Sequence, residues 1–343
     1  MIGGLLDSSV QAWLLVPAAA VVSALLILAL RPLLFRYAIA RPNARSSHTT
    51  PTPQGGGIAV VIAIILTVGV GSLWLPFGPA LREFNLVAVF AATAALAVVG
   101  TYDDIRPIEA VPRLLLQAIA IVIVIASLSP SLRIVPFVPW WLERALILLA
   151  MLWFVNLVNF MDGIDWMTVA EVVPVAAALG LLGLAGALPG EATAVALALC
   201  GAVIGFAPFN RPVARLFLGD VGSLPIGLLI GWLLVLLAGS GHLVAALLLP
   251  LYYLADATVT LLRRLIQRQS VMKAHRTHYY QRAVDRGFTV YEIVARVFAV
   301  NLVLAGLAAA TLADPAANTQ LVALAAGVVL VTTLLWSFAR GSR

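Results

Sequence analysis

Eleven stretches of this chain are apolar for long enough to cross a lipid bilayer. They lie near 11–30, 57–75, 85–101, 114–129, 143–159, 167–188, 193–208, 223–238, 243–262, 293–312 and 319–338. A spanning strand needs only about 9–11 residues and a spanning helix about 20, so runs of this length read as helices, with 85–101 and 223–238 on the short side. The basic residues test the count. Eighteen of the 21 Lys and Arg fall in alternate connecting segments: Arg31 to Arg45, Arg106 with Arg113, Arg211 with Arg215, Arg263 to Arg296, and Arg340 with Arg343. Only Arg82, Arg133 and Arg144 fall on the other side. Cytoplasmic loops hold the excess of Lys and Arg, so the pattern predicts an outside N-terminus, eleven crossings and a cytoplasmic C-terminus. The expected fold is an all-α polytopic membrane protein, a single integral-membrane domain over residues 1–343.

Composition agrees. Only 10% of residues are charged, against about 25% in soluble domains. The net charge of +6 belongs to the membrane-facing asymmetry and is no nucleic-acid footprint. The single cysteine, Cys200, lies in an apolar run, which excludes an intrachain disulfide and a thiolate metal cluster. The first apolar run has Asp7 before it and Arg31 and Arg36 after it, the charge order of an uncleaved anchor.

With this topology every polar cluster faces the cytoplasm, and the outside loops carry only turn residues such as Pro76, Gly78, Pro136 and Gly239. The densest cluster is Asn156-Leu-Val-Asn159-Phe-Met-Asp162-Gly-Ile-Asp165. Asn156, Asn159 and Asp162 step by three and fan over one side of a helix, and Gly163 permits a turn that brings Asp165 back. Hard oxygen donors at a membrane edge suit Mg²⁺ and a phosphorylated ligand; a polar helix cap is the alternative, although a cap needs one such residue rather than four.

The adjacent carboxylates Asp103 and Asp104 follow the third apolar run and repel one another unless a cation or a basic loop neutralises them. Asp220 opens the eighth, either as a metal ligand or as an N-cap. Gly55–Gly57 could offer backbone N–H groups to a phosphate or simply punctuate a helix start. His275-Arg276-Thr-His278-Tyr-Tyr-Gln-Arg282 pairs imidazoles with guanidiniums, which suits a diphosphate, whereas attraction to anionic lipid accounts for the arginines alone. A zinc site lacks a third nearby imidazole or thiolate. Asp256, inside the ninth run beside Tyr252 and Tyr253, has no assigned role at this stage.

Taken together, the Asp-Asp pair, the Asn-x-x-Asn-x-x-Asp-Gly-Ile-Asp run, the Gly-Asp-Val-Gly-Ser element and the His-Arg-x-His loop resemble the polyprenyl-phosphate N-acetylhexosamine-1-phosphate transferases, in order and spacing from Arg41 to Arg282. The first and last loops look closest to the branch that initiates O-antigen and related surface glycans. The resemblance implies an Mg²⁺-dependent enzyme (with Mn²⁺ as a substitute) that moves a sugar 1-phosphate, GlcNAc or a 6-deoxy derivative, from a UDP-sugar to polyprenyl phosphate and releases UMP. It implies that Asn159 and Asp220 hold the metal and that Asp103 and Asp104 form the catalytic pair together with Asp220. Asp162 and Asp165 would line the nucleotide pocket, and His275, Arg276 and His278 would grip the diphosphate. Asn156, Arg282 and His48 of the first loop are further candidate substrate contacts. The implied setting is a bacterial cytoplasmic membrane with the site facing the cytoplasm, with no nucleic-acid partner and a homodimer left open. Two departures stand out. Trp166 occupies a position where the family usually has Gly, and the first loop lacks the lysine of the phospho-MurNAc-pentapeptide branch. The rival reading is a nucleotide-sugar transporter, which would place its polar residues near the bilayer midplane and show internal repeats.

Overall fold

The computed structural model describes residues 11–40, 51–73, 85–270 and 275–341. Each of the eleven apolar runs is helical: α1 (Leu15–Tyr37), α2 (Gly56–Gly71), α3 (Leu86–Ile105), α4 (Ala110–Ala126), α5 (Trp140–Met161), α6 (Met167–Leu184), α7 (Gly190–Phe206) and α8 (Asp220–Gly239) come first. The ninth run is broken at Pro250 into α9 (Leu243–Leu248) and α10 (Leu251–Ile266). A short amphipathic piece, α11 (Tyr279–Asp285), precedes α12 (Val290–Ala313) and α13 (Ala317–Arg340). A two-residue antiparallel pairing of β1 (Ile39–Ala40) with β2 (Thr52–Pro53) closes the first loop.

Seven of these helices are long and apolar enough to cross a membrane, and α2, α4 and α7 are shorter apolar helices. The two runs that look short in sequence are 20-residue helices. Their polar ends remain helical, so Asp103 and Asp104 sit on the last turn of α3 and not in the loop that follows it.

The bundle is organised around α8. Its apolar stretch is 94% buried, against 22% for the peripheral α1. A helix apolar on all sides belongs at the centre of a bundle, and α2, α3, α5 and α9 pack directly on α8. A second layer, in which α7 packs on α1, α2 and α6, and α6 on α12, completes one side; α10 and α13 adjoin α5 and α11 on the other. Contact with α8 is close because glycines face it: a Cβ on Gly57 would fall 2.2 Å from Cα of Gly222, and one on Gly100 would fall 2.4 Å from the carbonyl of Asp220. Such small residues let helix backbones approach in an apolar solvent.

The same contact decides between the alternatives at Gly56 and Gly57. The N–H of Gly56 donates to the carbonyl of Phe217 and that of Gly57 to the carbonyl of Leu218, both at 2.9 Å. These glycines dock the start of α2 against the segment before α8, and their N–H groups are not available to a phosphate.

Candidate active site

Asp104 lies at the C-terminus of α3, the wrong end of a helix for an anion. Its partner is the N-terminus of α8, where Oδ1 accepts from the N–H of Asp220 at 3.0 Å and Oδ2 from that of Val221 at 3.2 Å. The residue in the capping position of α8 is Gly219, which has φ 77° and no side chain to cap with. A Cβ there would come within 2.5 Å of Asp104 Oδ2, so Asp104 caps the helix in trans.

Asp103 is held as firmly. It accepts from the N–H of Ile108 at 2.6 Å and from the Arg113 guanidinium at 2.7 Å. Arg113, on α4, also lies 3.7 Å from Asp220. Two carboxylates therefore share one guanidinium with the charge of a third, Asp104, close to Asp220, an excess of negative charge that a divalent cation would offset. Asp220 is the more open of the two acids paired with Arg113, with 28% of its side chain exposed against 7% for Asp103.

Asp220 opens onto a cavity of about 540 Å³. Asn156, Asn159, Arg113, His275 and His278 share its lining, and Leu114, Leu149, Leu152, Trp153 and Leu261 form an apolar wall. Asn159 donates to Ser223 Oγ at 2.9 Å, which leaves its carbonyl oxygen for another partner. Asn156 spends its amide N–H groups inside the protein, on Gln117 Oε1 at 2.6 Å and on the carbonyl of Leu152 at 2.8 Å.

The remaining expected residues stand behind or beside the cavity. Asp162 ends α5 and accepts from the Thr168 hydroxyl. Burial, together with the charges of Asp104 and Asp165, outweighs that bond and pushes its carboxyl up to about 6. Asp165 is buried, and its Oδ2 accepts from the N–H of Ala214 at 2.9 Å, tying down the loop before α8. Gly163, inside the turn before Asp165, is not at positive φ. The left-handed residue is Trp166, φ 60°, whereas Gly163 makes room for the Tyr280 hydroxyl, which a Cβ would meet at 2.1 Å. Trp166 donates its indole N–H to the carbonyl of Ala207 at 2.6 Å and lies edge-on to Tyr291, so this departure from the family's Gly packs against α12 and does not line the cavity.

His275 stacks on His278 with ring centres 5.0 Å apart. Burial first, then the neighbouring His278 and Arg264, hold the His275 imidazole down at about 4, so it is neutral at pH 7. Arg276 pairs with Asp285 at 3.2 Å and Arg282 lies over the Tyr279 ring; neither lines the cavity. His48 lies outside the described residues.

Sequence reasoning missed Arg113 and Gln117 as members of the site. Their one visible signal was a polar side chain in or near the first turns of an otherwise apolar helix, ten residues or so beyond the Asp pair.

Among the described residues there is no group of three or more His, Cys, Asp or Glu placed as a ready metal cage. Mg²⁺ does not need one, because it keeps several waters and binds through one or two carboxylates plus substrate phosphates. The open carboxylate of Asp220 and the carbonyl oxygen of Asn159 fit that donor set.

Comparison with known proteins points the same way. A family model described as glycosyl transferase family 4 matches residues 86–238. The chain is 24% identical over 309 residues to a probable undecaprenyl-phosphate N-acetylglucosaminyl 1-phosphate transferase of Bacillus subtilis, covering 83% of this chain and 84% of that one. It is 27% identical over 348 residues to the decaprenyl-phosphate N-acetylglucosaminephosphotransferase of Mycolicibacterium smegmatis, covering 91% and 85%. It is 33% identical over 226 residues to a phospho-N-acetylmuramoyl-pentapeptide-transferase of a Synechococcus strain, covering 60% and 63%. The matched region spans α3 to α8, which includes the helices that carry Arg113, Asn159 and Asp220, and the chain is similar over most of its length to polyprenyl-phosphate N-acetylglucosamine-1-phosphate transferases.

Proposed function

We propose that this protein transfers an N-acetylhexosamine 1-phosphate from a UDP-sugar to a polyprenyl phosphate, releasing UMP and starting a lipid-linked surface glycan. One observation carries the reading: one cavity is lined both by a polar set, Asp220, Asn159, Arg113 and two histidines, and by an apolar set, Leu114, Leu149, Leu152, Trp153 and Leu261. A phosphate on an apolar chain is a ligand with those two halves.

The lipid phosphate, a monoester with a second pKa near 6, is mostly ionised at neutral pH and needs no strong base. One of its oxygens attacks the β-phosphorus of the UDP-sugar, a P–O bond forms, the bond to the bridging oxygen breaks, and UMP leaves with that oxygen. Asp220 and Asn159 would hold Mg²⁺, which would supply charge neutralisation at the phosphates. Arg113 adds a fixed positive charge beside it, and the histidines contribute hydrogen bonds. Asp103 and Asp104, both engaged by protein partners, serve by placing Arg113 and the start of α8, a more supporting part than a proton-taking one.

The topology completing this reading has eleven crossings, the N-terminus outside and the cavity at the cytoplasmic side of a bacterial inner membrane, supported by the skew of Lys and Arg. The transporter alternative is not favoured: Asp103, Asp104 and Asp220 lie at helix ends and not at mid-depth. GlcNAc is the sugar suggested by the relatives; FucNAc and QuiNAc remain in the same proposal.

Purified protein given polyprenyl phosphate, Mg²⁺ and each UDP-N-acetylhexosamine in turn is expected to release UMP with at least one donor. No release with any of them would overturn the reading. Arg113→Gln is expected to slow that release by about 100-fold, with Arg113→Lys intermediate, because a lysine keeps the charge without a guanidinium able to reach Asp103 and Asp220 together. Wild-type rates in Arg113→Gln would remove Arg113 from the site.

A further inference from the structure

Asp256 is a buried carboxylate that the reaction described above leaves without a part. It sits on α10, with none of its surface exposed. Its Oδ1 accepts from the N–H of Tyr279 at 2.9 Å and from Thr260 Oγ1 at 3.3 Å. Its Oδ2 accepts from the N–H of Tyr280 and from the Tyr252 hydroxyl, both at 3.2 Å. Tyr279 and Tyr280 open α11, so a side chain from one helix closes the first turn of another, 23 residues on. His278, in the capping position of α11, turns Nδ1 towards the same carboxylate at 3.5 Å. Its ring is held between those of His275 and Tyr280, at 5.0 and 5.9 Å. The imidazole stacks on two rings, its buried Nδ1 faces Asp256 without a hydrogen bond yet made, and the Nε2 edge is left for the cavity that His278 lines.

We infer that Asp256 is a positioning residue, which keeps the proton of His278 on Nδ1 and aims Nε2 at the diphosphate. A ring nitrogen beside a carboxylate is a donor, and that choice decides what the opposite nitrogen can do. With Nδ1–H directed at Asp256, a proton on Nε2 makes the ring a cation able to donate to a phosphate oxygen, and Asp256 is the counter-charge that a buried cation requires. The 3.5 Å separation is a contact that tightens when an anion fills the cavity. The inference rests on the transferase reading for the identity of the anion, but the placement of the proton stands on this geometry alone.

Two measurements test it. In full-length protein labelled with ¹⁵N-histidine, the four imidazoles are few enough to assign His278 by comparison with His278→Gln. Its Nδ1 is expected to be protonated in the wild type, and to lose that preference in Asp256→Asn, whose amide cannot satisfy the Tyr279 and Tyr280 N–H groups and the imidazole together. An unprotonated Nδ1 in the wild type overturns the inference, and does not depend on Asp256→Asn folding. In UMP release, Asp256→Asn is expected to lower kcat/KM by about 100-fold, but by less than about 3-fold when His278 is already Gln, since a residue acting through another has nothing further to lose. Losses that multiply would mean a purely structural role and overturn it. Tyr252→Phe and Thr260→Val, which remove the other side-chain donors to Asp256, are expected to stay within about 3-fold of wild type; losses as large as that of Asp256→Asn would equally overturn it. A wild type that releases no UMP defeats the transferase reading and leaves the ¹⁵N result standing.

Discussion

Asp220→Asn should reduce UMP release by at least about 10³-fold while leaving the protein folded and inserted, because it removes the one site carboxylate that opens onto the cavity at the cost of a single oxygen-to-nitrogen change. The expectation for stability points the other way from that for activity. Asp220 shares its surroundings with Asp103 and Asp104, and Arg113, 2.7 Å from Asp103 and 3.7 Å from Asp220, is the guanidinium that answers two of the three. Neutralising one member of a crowded acidic group relieves repulsion, so the melting temperature of Asp220→Asn without metal should equal or exceed that of the wild type. Added Mg²⁺ should raise the melting temperature of the wild type by mass action and leave the variant unmoved. A variant that keeps more than a tenth of the wild-type rate, or that still responds to Mg²⁺ as the wild type does, would take Asp220 out of the metal site.

Gly100→Ala tests the packing beneath that site without altering any charged group. The added methyl would lie 2.4 Å from the carbonyl carbon and oxygen of Asp220 and 2.5 Å from the N of Val221. All three are backbone atoms of the most buried helix, so no side chain can swing aside, and α3 and α8 must part by about 1 Å to reach ordinary contact. Overpacking of this kind costs about 1–3 kcal/mol. The separation falls on the two hydrogen bonds by which Asp104 caps α8, and displacement of catalytic groups on that scale costs about 100-fold in rate. Gly69→Ala is the control, since nothing lies within 4 Å of the methyl it would add, and it should melt and turn over like the wild type. Similar behaviour of Gly100→Ala and Gly69→Ala would mean that α3 and α8 do not meet as described.

Much of this protein can be read along one dimension. Hydrophobic length and the placement of Lys and Arg are properties of consecutive residues, so every apolar run could be placed on a helix, with Pro250 breaking the ninth. The grouping of Asn159, Asp220, His275 and His278 was also legible, because a polar residue in a mostly apolar chain has few reasons to be there. Their convergence in one cavity follows from helix ends that face the same way.

Which of those residues would face a ligand was a different matter. Asp104 caps a helix that begins 116 residues later, Arg113 bridges Asp103 to Asp220, Asp165 anchors the loop at Ala214, and Asp256 holds the turn at His278. These four acids and one arginine are chemically alike in sequence to the residues that stay open. The rotation of each helix about its axis, and the distance at which glycines let α3 and α2 approach α8, select which side chains find protein partners. Local sequence therefore determined that helices form and which ends carry charge, since hydrocarbon leaves the backbone no other way to satisfy its hydrogen bonds. Only tertiary packing decided that Asp220 faces the cavity while Asp103 and Asp104 stand behind it, because a hydrogen bond within about 3 Å depends on helix crossings that no run of neighbouring residues encodes.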